Sequence, residues 1–337
     1  MKIIEPSYKI YDEDMPVLQA IELAGRTCYK SEDKITEDSA PRFVNGLVKS
    51  GHFAMIEHGI LHFVVRVHPL CEFNDICLNE WMATIETAAP EARRIIRSVL
   101  SDTSVLVTAN LRTLYDVTLK LCREPYVEVM PEYIIMDALH QYLPSLFPEP
   151  VKMDLGKEKF PYSIGEKATC EFVTSKWIEN NIDDVGILKQ HLFHTVRFVC
   201  DRGVTHELVR HRVASIAQES TRYCTYSKDK FGNELTFIKP CFWDEHSSMY
   251  EVWKKQCQSA EDWYLAMIEN GAMAQEARSI LPHSIKAEIV VTANEDEWQH
   301  ILNLRAKGTT GKPHPQMAEL MIPLLADMNK RTNGRLN

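Results

Sequence analysis

Between Arg210 and Tyr223 the chain reads RHRVASIAQESTRY, three arginines, a histidine, two serines and a Gln-Glu pair set among apolar residues. A guanidinium presents its donors in a rigid fork, and a hydroxyl beside it completes a grip on a phosphate or on the edge of a planar heterocycle. If the helix read in the preceding GVTHELV continues through the triplet, Arg210 and Arg212 lie about 200° apart and serve two ligands or two surfaces. Downstream, an extended run places Ser220 and Arg222 on one side and Tyr223 opposite, because side chains alternate along a strand. A solvated helix end would carry the same charges, but Val213, Ala214, Ile216 and Ala217 among them imply partial burial.

A second arginine stands out. Arg305 follows Trp298, Ile301 and Leu302 at helical spacing, on the apolar stripe of its own helix. An unpaired guanidinium there is costly, so it needs a ligand, the reading preferred here, or a carboxylate partner. Arg278, shortly before Leu281-Pro282, also suits a helix C-terminus, which favours cations. Taken alone, His52 reads as a helix-end histidine and His58 as a partly buried residue at a strand start.

Other signals fail on spacing. His206 and His211 are five residues apart, about 140° around a helix, and cannot share a zinc ion as an H-E-x-x-H pair does. The run GTTGKP at 308–313 lacks the P-loop spacing. No G-x-G-x-x-G follows a strand, no G-x-S-x-G occurs, and Ser220 has no evident base and carboxylate to make it a hydrolase nucleophile. No metal site is expected.

These residues need elements to hold them. Asp14 and Pro16 mark a helix start. A helix is expected from Ser39 to Ser50, with Phe43, Leu47 and Val48 inward and Gly51 as its stop. Gly59–Val67 reads as a strand. Helical stretches are expected around 74–100 and 130–145, with a strand at Val105–Thr108 between them, and 149–168 reads as a loop or linker. Ser259-x-x-Asp262 has the form of a capping box opening a helix that ends before Pro282. A strand at 284–292 leads to Asn294-x-x-Glu297, a second such cap, and a last helix spans Pro315–Lys330, kinked at Pro323. There is also an echo: Glu91-Ala92-Arg93 before VLVTAN (105–110), and Glu276-Ala277-Arg278 before IVVTAN (289–294). Duplication and chance both account for it.

The chain has 337 residues, 45% hydrophobic and 25% charged, enough to bury one large core or two smaller ones. A net charge of −9 argues against a general nucleic-acid coat, while leaving room for a local basic site. Nine cysteines, odd in number and without a C-x-x-C pair, indicate neither a disulfide framework nor a zinc ribbon. The N-terminal MKIIEPSYKIYDEDM has no apolar signal segment and no apolar run approaches ~18 residues, so a reducing cytoplasm and no membrane are expected.

The R-H-R triplet followed after seven residues by Ser220, within Gln218-Glu219-Ser220-Thr221-Arg222-Tyr223, resembles the flavin-dependent thymidylate synthase family. Gly51-His52 with Glu57-His58, Ala277-Arg278 with Leu281-Pro282, Thr292-x-Asn294, Leu304-Arg305 and His314-x-Gln316 resemble further segments of that family in the same order. The resemblance covers roughly residues 14–68 and 192–325. It implies an α+β fold, an antiparallel sheet flanked by helices, with a core of 1–68 and 192–337 and an inserted α/β subdomain at 69–191. It implies a homotetramer that binds FAD, uses NADPH and methylenetetrahydrofolate, and methylates dUMP. It gives Glu207, Arg210, Glu219, Ser220, Arg222, Arg278 and Arg305 to dUMP, with Arg305 catalytic. His52, Glu57, Arg210, His211, Arg212, Gln218, Glu219, Asn294 and His300 go to FAD. Ala54, Glu207 and Asp296 depart from the commoner Ser or Thr, Gln and Arg of the family, and the loop Ala306–Pro313 is longer. Those departures motivate a rival, a catalytically silent nucleotide-binding relative; a nucleic-acid-binding protein is the other alternative.

Overall fold

The computed structural model describes every residue except 13, 67–81, 84, 124–130, 153–168, 223, 225, 227–231 and 337. The chain divides into two compact units. Unit one holds residues 1–15, 22–37 and 193–337; unit two holds 16–21 and 38–192. Residues 38–68, expected with the C-terminal core, therefore group with 69–192.

Unit one is built on a four-stranded antiparallel sheet in the order β2 (Ser7–Ile10), β7 (Phe193–Asp201), β10 (Lys286–Asn294), β8 (Ser215–Gln218). The strand β10 is rich in β-branched residues and buried along nearly its whole length, as a central strand covered on both faces should be. One face packs Val196, Phe198, Ile289 and Val291 against Trp298, Ile301 and Leu302 of the helix Glu295–Leu302 and against Met317, Leu320 and Leu324 of the helix Pro315–Arg331. Pro323 lies inside that last helix, which continues past it. A two-stranded parallel sheet joins β1 (Lys2–Ile4) to β9 (Thr236–Ile238). The helix expected to open at Ser259 opens earlier: Ser247 accepts from Tyr250 N at 3.2 Å and the helix runs Ser248–Glu269. Nothing between 248 and 258 breaks a helix, so the first cap wins over the later look-alike.

Unit two carries its own four-stranded antiparallel sheet, in the order β4 (Ile96–Ser101), β5 (Ser104–Asn110), β3 (Ile60–Arg66), β6 (Thr169–Val173). The end of the expected helical stretch 74–100 is thus strand, because Ile96–Ser101 folds back on β5 through a short hairpin. Most of 74–81 and of the expected linker 149–168 lies outside the described residues. With every pairing of this sheet antiparallel, the expected α/β subdomain is α+β. The helix Ser39–Lys49 buries Ala40, Val44 and Leu47, one residue out of step with part of the expected inward row, and Gly51 ends it at φ 72°. A Cβ at Gly59 would stand 2.6 Å from Ile21 and 2.7 Å from Val17, so the close approach of those two side chains requires glycine.

The echo is structural in its second part. In unit one Phe193, first in β7, stands opposite Asn294, last in β10, and Ser215 of β8 stands opposite Thr292. In unit two Ile60, first in β3, stands opposite Asn110, last in β5, and Ile96 of β4 stands opposite Thr108. Both asparagines then cap the following helix, Asn294 accepting from Glu297 N at 3.0 Å and Asn110 from Thr113 N at 2.8 Å. The two units repeat one arrangement of strands and cap. The Glu-Ala-Arg part is not repeated: it precedes β4 in unit two and β10 in unit one.

Candidate active site

Asp201 accepts from Val204 N at 2.7 Å and opens the helix Arg202–Leu208. The helix stops there, so Arg210-His211-Arg212 lies in the turns beyond it and the 200° separation of a continued helix does not apply. His211 N donates to Leu208 O at 3.1 Å and the chain folds back, burying His211 and leaving Arg210 and Arg212 exposed.

Arg305 sits in a π-helical turn, Asn303–Lys307, that Gly308 closes in the left-handed region at φ 68°. Such turns insert a residue into a helix and turn side chains off its stripe. Arg305 Nη1 meets Glu207 Oε2 at 2.5 Å, its Nη2 donates to Glu207 O at 3.4 Å, and its Nε donates to His211 Nε2 at 3.2 Å. With Nε2 accepting, His211 carries its hydrogen on Nδ1, which faces Glu297 Oε1 at 3.5 Å. The ring of His300 stands edge-on to that of His211, centroids 5.7 Å apart. Sequence reasoning left a ligand and a carboxylate partner open for Arg305, preferring the ligand; a carboxylate is there, that of Glu207.

The strand β8 ends at Gln218, so Ser220 and Arg222 are not neighbours on one strand face. Instead Ser220 N donates to Cys28 O at 3.1 Å, and Ser220 Oγ accepts from Arg222 N at 3.3 Å. The exposed Arg222 donates from Nε to Gln275 Oε1 at 3.3 Å, three residues before Arg278, which is also exposed. The hydroxyl and the two arginines thus share one neighbourhood by way of a turn. Tyr223 lies outside the described residues. Gln218 Nε2 donates to Thr205 Oγ1 at 2.8 Å. Glu219 points inward, its carboxylate 2.8 Å from Lys286 Nζ and accepting from Tyr226 OH at 3.2 Å. In unit two, His52 is exposed and Glu57 pairs with Arg112 at 2.5 Å.

Lys286, Tyr226 and Glu288 went unremarked in the sequence, and Glu297 was noted only as part of a helix cap. Lys286-x-Glu288 was findable, since two charges at strand spacing in an otherwise apolar run share one face. Burial by itself would raise the Glu288 carboxyl, but the ammonium groups of Lys286 and Lys30 outweigh it and hold it down to about 2. Burial pushes the Tyr226 hydroxyl well above its ordinary value, and the charge of Glu219 adds to that. Among the described residues no three His, Cys, Asp or Glu side chains gather as metal ligands, and no helix is long and apolar enough to cross a membrane.

On the antiparallel α+β scaffold of unit one, a partly buried arginine is held against a histidine and a serine hydroxyl lies in a turn with a second arginine, donors of the kind that bind anions. Residues 163–328, which include these side chains, match the family model described as thymidylate synthase complementing protein. The flavin-dependent thymidylate synthase of Pyrococcus furiosus is 35% identical over 136 residues, 40% of this chain and 54% of that protein. That of Pyrococcus abyssi is 38% identical over 106 residues, 32% of this chain and 43% of the relative. The chain spans about half the length of the curated relatives it matches. A solved UMP/dUMP methylase, PolB from Streptomyces cacaoi bound with 5-Br dUMP, aligns over 98% of this chain and 93% of its own at 12% identity, with a TM-score of 0.39.

Proposed function

We propose that the chain reductively methylates dUMP to dTMP, taking the one-carbon unit from methylenetetrahydrofolate and reducing equivalents from NADPH by way of FAD. The observation that carries this reading is Arg305, fixed by Glu207 and His211 within the segment that matches the family. Uracil C5 is a poor nucleophile until negative charge develops on the ring. A guanidinium already held in place stabilises that charge at N3 and O2 without reorganising. Ser220, Arg222 and Arg278 grip the phosphate and sugar, turning binding energy into orientation. Among the described residues, the hydrogen bond on Ser220 Oγ comes from the Arg222 amide and none comes from a base, which favours nucleotide binding over a covalent role for that hydroxyl.

The exposed Arg210 and Arg212 on either side of the buried His211, with His300 close by, form a donor set of the kind a dinucleotide diphosphate needs. Gln218, Glu219 and Asn294 are the other residues of unit one assigned to FAD. Bound there, FAD supplies hydride chemistry that no side chain offers. A homotetramer working in the cytoplasm completes the reading.

The pairing of Arg305 with Glu207 also favours a second reading, a nucleotide-binding relative whose arginine is neutralised and which turns nothing over. An absorbance spectrum of the purified protein, followed by NADPH oxidation with and without dUMP, separates the two. The proposal expects a flavin spectrum and oxidation that dUMP stimulates. No flavin after FAD is added, with dUMP still bound, leaves the silent relative.

A further inference from the structure

One face of the unit-one sheet carries a partly buried charge cluster, with Glu219 and Glu288 its buried members. Lys286 Nζ lies 2.8 Å from Glu219 Oε2 and 2.8 Å from Glu288 Oε1. Lys30 Nζ lies 2.7 Å from Glu288 and 2.9 Å from Glu32, and Arg197 pairs with both Glu288 and Glu32. Glu219 N donates to Glu288 O at 2.7 Å, and Tyr226 OH closes the ring on Glu219. Desolvating so many charges is expensive, and apolar residues often do as well in their place.

The repeat supplies the comparison. Arg197 stands opposite Val290; its equivalent in unit two is Val64, opposite Leu106. Glu288 corresponds to Ser104, and Glu219, one beyond Gln218, corresponds to Leu100, one beyond Val99. There Val64, Leu106 and Leu100 pack with Ile178, Leu188 and Leu192 in a wholly apolar cluster. At those three positions the same register stands without charges, the ion pair on that face being the exposed Arg66 with Glu171. The serine turn itself recurs, Ser101 Oγ accepting from Thr103 N at 3.4 Å as Ser220 Oγ does from Arg222 N at 3.3 Å; unit one differs in placing an arginine at the second position and a clamped glutamate before the serine.

We infer that Lys286 and Tyr226 are positioning residues for the nucleotide, acting through Glu219: they clamp its carboxylate beneath the sheet end and so fix where Ser220 and Arg222 stand. The inference rests on the proposed nucleotide-binding role of that turn. Its backbone is tied on one side to Cys28 O and on the other to Glu288 O, and the side chain between those ties is the one Lys286 and Tyr226 hold. Releasing it lets the hydroxyl drift by a fraction of an ångström to an ångström, enough to lose about tenfold or more in productive binding.

The test uses the full-length protein loaded with FAD, titrated with dUMP and assayed for turnover. Lys286→Met is expected to raise the dUMP Kd and KM about tenfold, with kcat at saturating dUMP and flavin content within about twofold of the parent. Lys286→Arg is expected to recover most of the loss, which a general packing defect would not show. A folded Lys286→Met that binds dUMP like the parent overturns the inference. Should Lys286→Met fail to fold, Tyr226→Phe decides: about threefold weaker dUMP binding is expected, and unchanged binding overturns it. A parent protein that binds no dUMP overturns instead the reading on which the inference rests.

Discussion

Arg305 Nη1 stands 2.5 Å from Glu207 Oε2, so the guanidinium proposed to face the uracil ring already holds a carboxylate. The pair is partly exposed, 22% for Arg305 and 33% for Glu207, which limits its worth to about 1 kcal/mol or less. Glu207→Gln keeps a hydrogen-bond acceptor of the same shape and removes the charge. The dUMP Kd is expected to tighten about two- to fivefold, measured by titration. A weaker affinity would instead make Glu207 a direct ligand to the base.

Removing the arginine tests the electrostatic stabilisation directly. Arg305→Ala is expected to lower kcat by about 10²–10³-fold while flavin content stays unchanged, because one preorganised donor at developing charge has about that value. Arg305→Lys should recover little, since a point charge on a flexible stem cannot reproduce contacts to Glu207 Oε2, Glu207 O and His211 together. Turnover in Arg305→Ala within tenfold of the parent would remove Arg305 from the chemistry.

Unit two should be sensitive to acid. Burial pushes the imidazoles of His58 and His62 down to about 3 and that of His191 to about 4. His62 Nδ1 and His191 Nδ1 both lie 2.8 Å from Thr108 Oγ1, whose single proton serves one ring while the other must donate to it. Unfolded, each histidine titrates near 6.5, so between that pH and about 4 the unfolded chain binds more protons. The stability is complete above about pH 6.5 and is lost as pH falls, by on the order of 1–2 kcal/mol per histidine at pH 5. Urea midpoints followed from pH 7.5 to 5 should decline, and His62→Gln should flatten the slope. A level profile in the parent would contradict the assignment.

The site was legible where one segment carries it whole. Residues 210–223 offered the arginines and the serine as candidates, and Asn294 its cap, because short-range spacing encodes both. The strand β4 was missed because Ile96–Ser101 becomes a strand only by pairing with β5, a tertiary choice that local pattern cannot fix. The helix was carried too far into Arg210-His211-Arg212, where nothing in the residue types marks the stop at Leu208. Glu207 was named for the nucleotide, but its pairing with Arg305 spans 98 residues, which no periodicity reports. The repeat, half visible as VTAN in two places, needed the strand registers to show that both units share one arrangement.

That repeat also sets the two cores against each other. Trp298 fills the layer between sheet and helices in unit one, fully buried, with its indole N–H donating to His194 O at 3.0 Å. Counting from the capping asparagines, Leu114 holds the same place in unit two, and a cavity of about 40 Å³ opens beside it, lined by Phe63, Val107, Val117, Leu121 and Met136. At ~24 cal/mol per Å³ the void costs on the order of 1 kcal/mol. Leu114→Phe adds roughly the missing volume and should raise the thermal midpoint by a few degrees. Trp298→Leu should cost about 3–5 kcal/mol, since it empties the better-packed core and strands the His194 carbonyl. Calorimetry on both variants checks the pair. If Leu114→Phe destabilises, the cavity is a shape that unit two needs and not a defect of its core.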